Sequence, residues 1–343
     1  MDLSKKRVFV SDIHMGDERS ATATRPYGWL SSGEAQALAE FVSSPTVQDA
    51  DELIIVGDLV DLWVCPTDVR PPTPKEVFDA PQNVPLVKAL RDFAKKPSKS
   101  LYYIPGNHDM KVEVAAALEL APETKFRPFF DDGPIHATHG HEFCLFNGRD
   151  PAGRAFPLGY YITRCTATAE RDGGHQPKLD LWTVFHGAAE VIAMLTGPTT
   201  LAQAVLDLVC RRTGVAPDAN IVMPDGSTEN LRDVRNHFAN LVGDWNAHRS
   251  TGAADAISCE WDPWGHMRLG SRINIMGHSH HRMMVRGDAY GLYINLGCWT
   301  NGSPNFAVTR PGDNANEIVV ELNKWTNGHV GWEVDPVTFA VTP

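Results

Sequence analysis

The sequence has no CxxC pair, no basic excess, no internal repeat and no apolar run long enough to cross a bilayer, and each absence removes a class of protein. Its six cysteines, Cys65, Cys144, Cys165, Cys210, Cys259 and Cys298, are scattered without paired spacing. That suits reduced thiols in a cytoplasmic protein, each read as a small core residue, rather than a disulfide framework. A net charge of −11 over 343 residues argues against a non-specific grip on nucleic acid, which needs an excess of Lys and Arg. The most apolar stretch, Leu181 to Leu195, contains His186 and Glu190 and is too short to span a membrane. The polar run Met1 to Arg7 leads straight into a strand-like segment, so no signal peptide is expected. What remains, 43% apolar and 21% charged, is the composition of a soluble globular protein of one large or two smaller domains.

Along the chain, short apolar runs end repeatedly in ligand-type residues. Arg7-Val8-Phe9-Val10 leads to Asp12 and His14, Leu53-Ile54-Ile55-Val56 to Asp58, and Leu101-Tyr102-Tyr103-Ile104 to Asn107-His108-Asp109. A weaker strand over Pro134 to Thr138 leads to His139, and Ile273 to Met276 leads to His278 and His280. Pro105-Gly106 breaks the third run, so its polar triplet projects from a loop at a strand's carboxyl end, where open α/β folds place active sites. Helical spacing appears over Glu34 to Val42, with Ser31 or Ser32 as cap and Pro45 closing it, and again over Leu86 to Ala94 and Val112 to Leu120. The proline-rich segment Pro66 to Pro85 reads as an excursion from the core. From Asn147 to Gly270 the pattern changes to helical segments, Leu181 to Leu195, Leu201 to Arg211 and Leu231 to Trp245, whose apolar faces make a small core of their own. Strands then resume with Leu292 to Asn295, Phe306 to Val308 and Ile318 to Leu322, which suggests a second sheet.

Collected, the strand-end groups are Asp12, His14, Asp58, Asn107, His139, His278 and His280. All offer oxygen or nitrogen and none a thiolate, a set suited to Mn²⁺, Fe or Zn²⁺. In Asp12-x-His14 and His278-x-His280, residues i and i+2 of an extended segment face one side, so both pairs are expected to converge on one metal cluster.

These blocks, in this order, resemble the calcineurin-like metallophosphoesterases, whose pattern is DxH, GDxxD, GNHD, a later histidine and GHxH. The resemblance covers residues 7–145 and 271–323 and implies an α/β fold of two packed mixed sheets flanked by helices. The core is then 1–146 with 271–343, and 147–270 a helical insertion or cap. It places Asp12, His14 and His280 on one metal ion, Asn107, His139 and His278 on another, and Asp58 between them. The cofactors implied are two divalent or transition metal ions, Mn first, Fe or Zn otherwise. In-line attack on phosphorus by a metal-bridging hydroxide follows, with His108 as proton donor and Asp109 as its orienter.

Around the seven, Asp61 is expected to hydrogen-bond a metal ligand, and His141, His281 and Glu142 to lie beside ligands. Arg19, Arg149 and Arg154 follow ligand blocks and are read first as solvated arginines. His136, His175, His186, His237, His248 and His266 have no motif context and are read as surface or packed residues, and Trp261 and Trp264 as packing. The function expected is hydrolysis of a small phosphorylated molecule, as a phosphodiesterase or phosphatase. Gly57 to Trp63 and the long insertion are also similar to the UDP-diacylglucosamine hydrolase branch, a nucleotide-sugar pyrophosphatase. That branch, however, carries GNRD and HGD where this chain has Gly106-Asn107-His108-Asp109 and His139-Gly140-His141. A nuclease is the other catalytic alternative and a metal-binding scaffold the non-catalytic one. No transmembrane segment is expected, and a peripheral membrane contact would run through the insertion.

Overall fold

The computed structural model describes residues 2–22, 26–173, 200–249, 273–287, 291–300, 302 and 304–340. Cys259, His175, His186, His266, Trp261, Trp264 and the Leu181 to Leu195 segment lie outside these residues. The strands in chain order are β1 (Arg7–Val10), β2 (Glu52–Val56), β3 (Ser100–Ile104), β4 (Lys125–Phe126), β5 (Phe130–Asp131), β6 (Ile135–Ala137), β7 (Asn220–Val222) and β8 (Thr228–Asn230). They continue with β9 (Ile273–Met276), β10 (Met283–Gly287), β11 (Gly291–Asn295), β12 (Asn305–Pro311), β13 (Glu317–Thr326) and β14 (His329–Ala340).

Two mixed sheets form the scaffold, in the orders β14-β13-β12-β1-β2-β3-β4 and β10-β11-β9-β6-β5. The second sheet expected from the late strands is therefore only half right. β9 and β11 belong to it, but β12 pairs antiparallel with β1 and carries β13 and β14 onto the first sheet. The order of the strands along the sequence does not say which sheet each will join.

β1, β2 and β3 run parallel with every residue of β1 and β2 buried, the pattern of strands covered on both faces. Alternation along them separates two cores. Val8, Val10, Leu53, Ile55, Leu101 and Tyr103 pack under the helices Ser32–Ser43 and Val84–Ala94. Phe9, Ile54, Val56 and Ile104 face the second sheet, meeting Ile135, Ala137, Ile273, Ile275 and Ile294. The helix Ser32–Ser43 starts on a capping box in which Ser31 accepts from the Glu34 N–H and the Glu34 carboxylate accepts from the Ser31 N–H.

A third apolar cluster joins the helices Leu158–Asp172 and Leu201–Thr213 with Leu231, Phe238, Trp245 and Trp63. Two details differ from the sequence reading here. The segment Leu231 to Trp245 is two helices, Leu231–His237 and Leu241–His248, parted by a turn over 238–240. The proline-rich excursion contains a helix, Pro74–Asp79, begun by a Thr73 capping box and a proline in its first turn. The five described cysteines are in no disulfide and are buried, as expected of small core residues.

Arg164, fully buried, sews this cluster to the proline-rich loop. It donates to the carbonyls of Cys65 at 2.6 Å, Pro66 at 2.7 Å, Val69 at 2.6 Å and Val222 at 2.8 Å, and to the Tyr160 hydroxyl oxygen at 2.5 Å. Replacing it by methionine keeps much of its volume but strands those carbonyls, each costing about 1–3 kcal/mol when unmet. Arg164→Met should therefore lose about 3–5 kcal/mol of stability in urea unfolding. A loss under about 1 kcal/mol would mean that water replaces the guanidinium.

Candidate metal centre

Each of the five strands that precede a ligand block stops two or three residues before its first ligand. β1 ends before Asp12, β2 before Asp58, β3 before Asn107, β6 before His139 and β9 before His278. Because β1, β2 and β3 are parallel, and β6 and β9 are parallel, these carboxyl ends gather at one end of the two sheets. All seven residues are brought together there, and Asp12, His14, Asp58, Asn107 and His139 are buried.

The backbone at the site is not extended. Among the described residues, the non-glycine positions with positive φ are Asp12 at 53°, His14 at 53°, Asp58 at 52°, His278 at 69°, His280 at 58° and Asn327. Five of these six are members of the predicted cluster. The i, i+2 pairs therefore do not converge by strand alternation, as the sequence suggested, but through left-handed turns just past the strand ends. Such turns are costly for side chains with a Cβ and concentrate at functional sites. Neighbouring loops hold them: Asp12 N–H donates to Gly57 O at 3.2 Å, and Ile13 and His14 N–H both donate to Asp58 O, at 2.9 and 2.8 Å. The turns need glycines where blocks touch. A Cβ on Gly57 would overlap the His139 ring, and one on Gly277 would overlap Ser11 Oγ and the Asp12 carboxylate.

Two groups of donor atoms result. In one, His280 Nε2 lies 3.1 Å from His14 Nε2 and 3.2 Å from Asp12 Oδ1. In the other, Asn107 Oδ1 lies 3.2 Å from His139 Nε2 and 3.0 Å from His278 Nδ1. Asp58 Oδ2 stands between them, 3.7 Å from His14 Nε2 and 3.1 Å from His139 Nε2. Ligands about 2.0–2.2 Å from a shared cation sit roughly 3–3.5 Å from one another, so the spacing fits metal binding. The tautomers fit as well. His14 Nδ1 meets Asp61 Oδ2 at 3.0 Å and His139 Nδ1 meets Val56 O at 2.9 Å, which leaves both Nε2 atoms facing the cluster.

Electrostatics point the same way. Burial opposes charge on His14 and His139, but hydrogen bonds to Asp12 and Asp61 for the first, and the charges of Asp58 and Asp12 for the second, outweigh it and raise both to about 10. Burial likewise works against ionised Asp58, yet the charges of His139 and His108 keep it well below the usual carboxylate range. The pocket favours positive charge, as a cation site must.

His108 lies beside this cluster with its ring 4.6 Å from that of Trp63 and 5.1 Å from that of Trp29. Its Nδ1 meets Asp61 Oδ1 at 3.0 Å. Asp61 thus spans His14 and His108 with its two oxygens, and Oδ1 also accepts the N–H groups of Trp63 and Val64, so it serves as a hydrogen-bond partner of histidines. The expected pairing of His108 with Asp109 is not what the fold makes. The Asp109 carboxylate turns back to accept from Leu59 N–H at 2.8 Å, Tyr103 OH at 2.6 Å and Gly106 N–H, while burial and the charge of Asp58 raise it to about 6. Adjacent side chains on a turn point apart, and adjacency in sequence misled here.

The remaining neighbours divide. Glu142 accepts from Thr138 Oγ1 and from Gly140 N–H at 3.0 Å, bracing the loop that carries His139. Burial lowers His141 to about 3, and its ring lies 5.5 Å from that of His139. Arg154 is engaged by Asp150 at 2.8 and 2.9 Å, and Arg19 by Asp17. Arg149 and His281 are exposed. Trp29 was not foreseen: it sits in a polar loop without periodicity, yet its ring touches His14 at 4.5 Å and His280 at 5.5 Å.

Residues 5–210 match the family model described as calcineurin-like phosphoesterase. The chain belongs to that family. A phosphoesterase of this family uses divalent metal ions, and the described residues include candidate ligand clusters, Asp12 with His14 and His280 and Asp12 with Asp58 and His139 among them. Among solved structures it is similar to a dimetal phosphatase from Danio rerio, at 13% identity with a TM-score of 0.43, covering 99% of this chain and 100% of that one. It is also similar to vacuolar protein sorting 29 from Cryptosporidium parvum, at 11% identity and a TM-score of 0.37 over 99% and 100% of the two chains. A third is GAP50, the anchor in the inner membrane complex of Plasmodium, at 11% and 0.37 over 99% and 90%. No curated protein sequence matches it. Among the described residues no helix is long and apolar enough to cross a membrane.

The close approach at Gly277 makes a specific demand on this phosphoesterase. Gly277→Ala should push Ser11 and Asp12 apart from the β9 loop and weaken divalent-metal binding about 10–100-fold in calorimetric titration, with the far-ultraviolet spectrum unchanged. Wild-type affinity in that variant would show that the contact is not needed.

Proposed function

We propose that the protein is a two-metal hydrolase of small phosphate esters, acting as a phosphodiesterase or phosphatase. The observation that carries this reading is Asp58, one carboxylate lodged between two groups of inward-turned donors. Asp12, His14 and His280 would hold one cation and Asn107, His139 and His278 the other, with Asp58 shared. The donor set, nitrogen and oxygen without thiolate, suits Mn²⁺ and also accommodates Fe or Zn²⁺. The chemistry the cations supply when bound is Lewis acidity, which makes water nucleophilic near neutral pH and offsets charge on the phosphoryl oxygens.

The chain's own residues do the rest. His108 donates a proton from Nε2 to the departing ester oxygen, its Nδ1 being held by Asp61. Burial disfavours an ionised Asp61, but the charges of His108 and His14 hold it well below the ordinary carboxylate range, so it remains an anion that stabilises the imidazolium. Trp29 and Trp63 flank the His108 ring and fix its plane. Asp109 holds the loops of Leu59 and Gly106 in place and acts on His108 only through them. Residues 147–270 serve as a cap on the core 1–146 and 271–343. Their first residue, Asn147, places Oδ1 3.5 Å from Asn107 Nδ2, which favours the amide orientation that aims Asn107 Oδ1 at His139 and His278.

Removing metal with a chelator should abolish hydrolysis of nitrophenyl phosphate, and adding Mn²⁺ should restore it in the wild type but not in Asp58→Asn. Full activity in Asp58→Asn would overturn the shared-carboxylate assignment. For the proton donor, His108→Asn and Asp61→Asn should lose about 10²–10⁴-fold in kcat on alkyl phosphates, and much less on nitrophenyl esters, whose leaving oxygen needs no proton. Asp109→Asn should lose equally on both kinds of ester. A leaving-group dependence in Asp109→Asn, or none in Asp61→Asn, would return the orienting role to Asp109.

A further inference from the structure

We infer that the cleft beside His108 is a leaving-group pocket selective for an uncharged, largely apolar alcohol, aryl or alkyl, over a leaving group that is itself a phosphate. The inference rests on the proposed role of His108, because a proton donor must face the group that departs.

The cleft has a volume of about 470 Å³, within the range of small-molecule sites, and His108 and Trp63 form one wall. The proline-rich loop, through Pro71, Pro72 and Pro74, lines another part of it, and Phe156 and Met223 belong to the segment proposed as the cap. Phe156 is stacked on Tyr160, with ring centroids 4.1 Å apart, so its ring is fixed rather than adaptable. The proline-rich loop and β7, which immediately precedes Met223, are both bound by the buried Arg164, which makes the cavity preformed.

Charge decides what such a cavity accepts. Apart from His108, which gives up its proton to the leaving group, the charged residues that line it are Lys111, a cation, and Glu113, Asp225 and Glu229, acids. Lys111 sits over the Phe156 ring, Nζ 5.1 Å from its centroid. Glu229 accepts from Tyr161 OH at 2.6 Å. One cation against three acids repels a leaving group that carries phosphate or carboxylate, whereas the apolar wall favours an alcohol with an aromatic or alkyl body. The nucleotide-sugar pyrophosphatase reading, in which the leaving group is a phosphate, fits this cleft poorly.

The test compares phenyl phosphate with 4-carboxyphenyl phosphate on the Mn²⁺-loaded protein. Both transfer the same phosphoryl group, and the carboxylated phenol is chemically no worse a leaving group. The expected result is a kcat/KM about tenfold or more in favour of phenyl phosphate. The double variant Glu113→Gln/Asp225→Asn should reduce that preference at least about threefold, and Phe156→Ala should raise KM for phenyl phosphate about tenfold. Calorimetry with benzylphosphonate and its 4-carboxy analogue, which cannot turn over, should show the same order of affinity. Equal kcat/KM for the two esters, or a preference untouched by the double variant, overturns the pocket while leaving the hydrolase reading intact. No hydrolysis of any ester overturns that reading, and equal affinities for the two phosphonates would then overturn the pocket as well.

Discussion

The carboxylate of Asp12 accepts the backbone N–H of His278 at 3.0 and 3.1 Å, across 266 residues of chain, and the rest of the site depends on that closure. It ties the end of β1, in one sheet, to the end of β9, in the other. Around it Asp12 also accepts from Ser11 Oγ at 2.5 Å, and its carbonyl accepts the N–H of Trp299 at 3.1 Å, so the turn is held from three sides. Five left-handed residues would cost several kcal/mol together if each were left to itself. They persist because backbone hydrogen bonds from adjoining loops and the apolar core between the sheets over-determine them. The turns gather carboxylate and imidazole groups whose opposite charges favour one another.

Much of this was legible in the sequence because the parallel strands are short and buried on both faces. Such strands read as unbroken apolar runs, and the polar residue after each run marks the strand's carboxyl end. That reading reached all seven cluster residues and the five strands that precede them. It failed where information is not local in the chain. The register that takes β12 to β14 onto the first sheet depends on which edge is open after β1 and β2 have paired, and no residue in Phe306 to Leu322 encodes that edge. The i, i+2 argument gave the right convergence for the wrong reason, since φ near +53° at Asp12 and His14 belongs to a turn.

The same lesson separates Asp61 from Asp109. In the sequence Asp109 is next to His108 and Asp61 is 47 residues away, yet Asp61 holds the ring. Asp61 reaches two imidazoles because the loop after β2 passes between those after β1 and β3, the middle position in a parallel three-strand set. Asp109, on the turn itself, satisfies that turn's own N–H groups, which is the ordinary use of an aspartate three residues past a glycine. A carboxylate shared by His14 and the proposed proton donor would couple the two electrostatically: a cation held by His14 would draw electron density from it, and Asp61 would carry that effect to His108.

Trp63 shows how the segment after residue 147 enters this chemistry. One face of its ring lies against His108, and it is also part of the apolar cluster built by the helices Leu158–Asp172 and Leu201–Thr213. The proposed proton donor is thus backed by the packing of a region that contributes no residue to the motif set. Arg164 adds a second tie, since its carbonyl partners Cys65, Pro66 and Val69 lie in the loop that leaves Trp63. The part of the fold that packs against the His108 ring therefore also shapes the cleft next to it. Changes in that region would alter the cleft and the position of His108 together, and through Asn147, whose Oδ1 lies 3.5 Å from Asn107 Nδ2, they would also reach the edge of the ligand cluster.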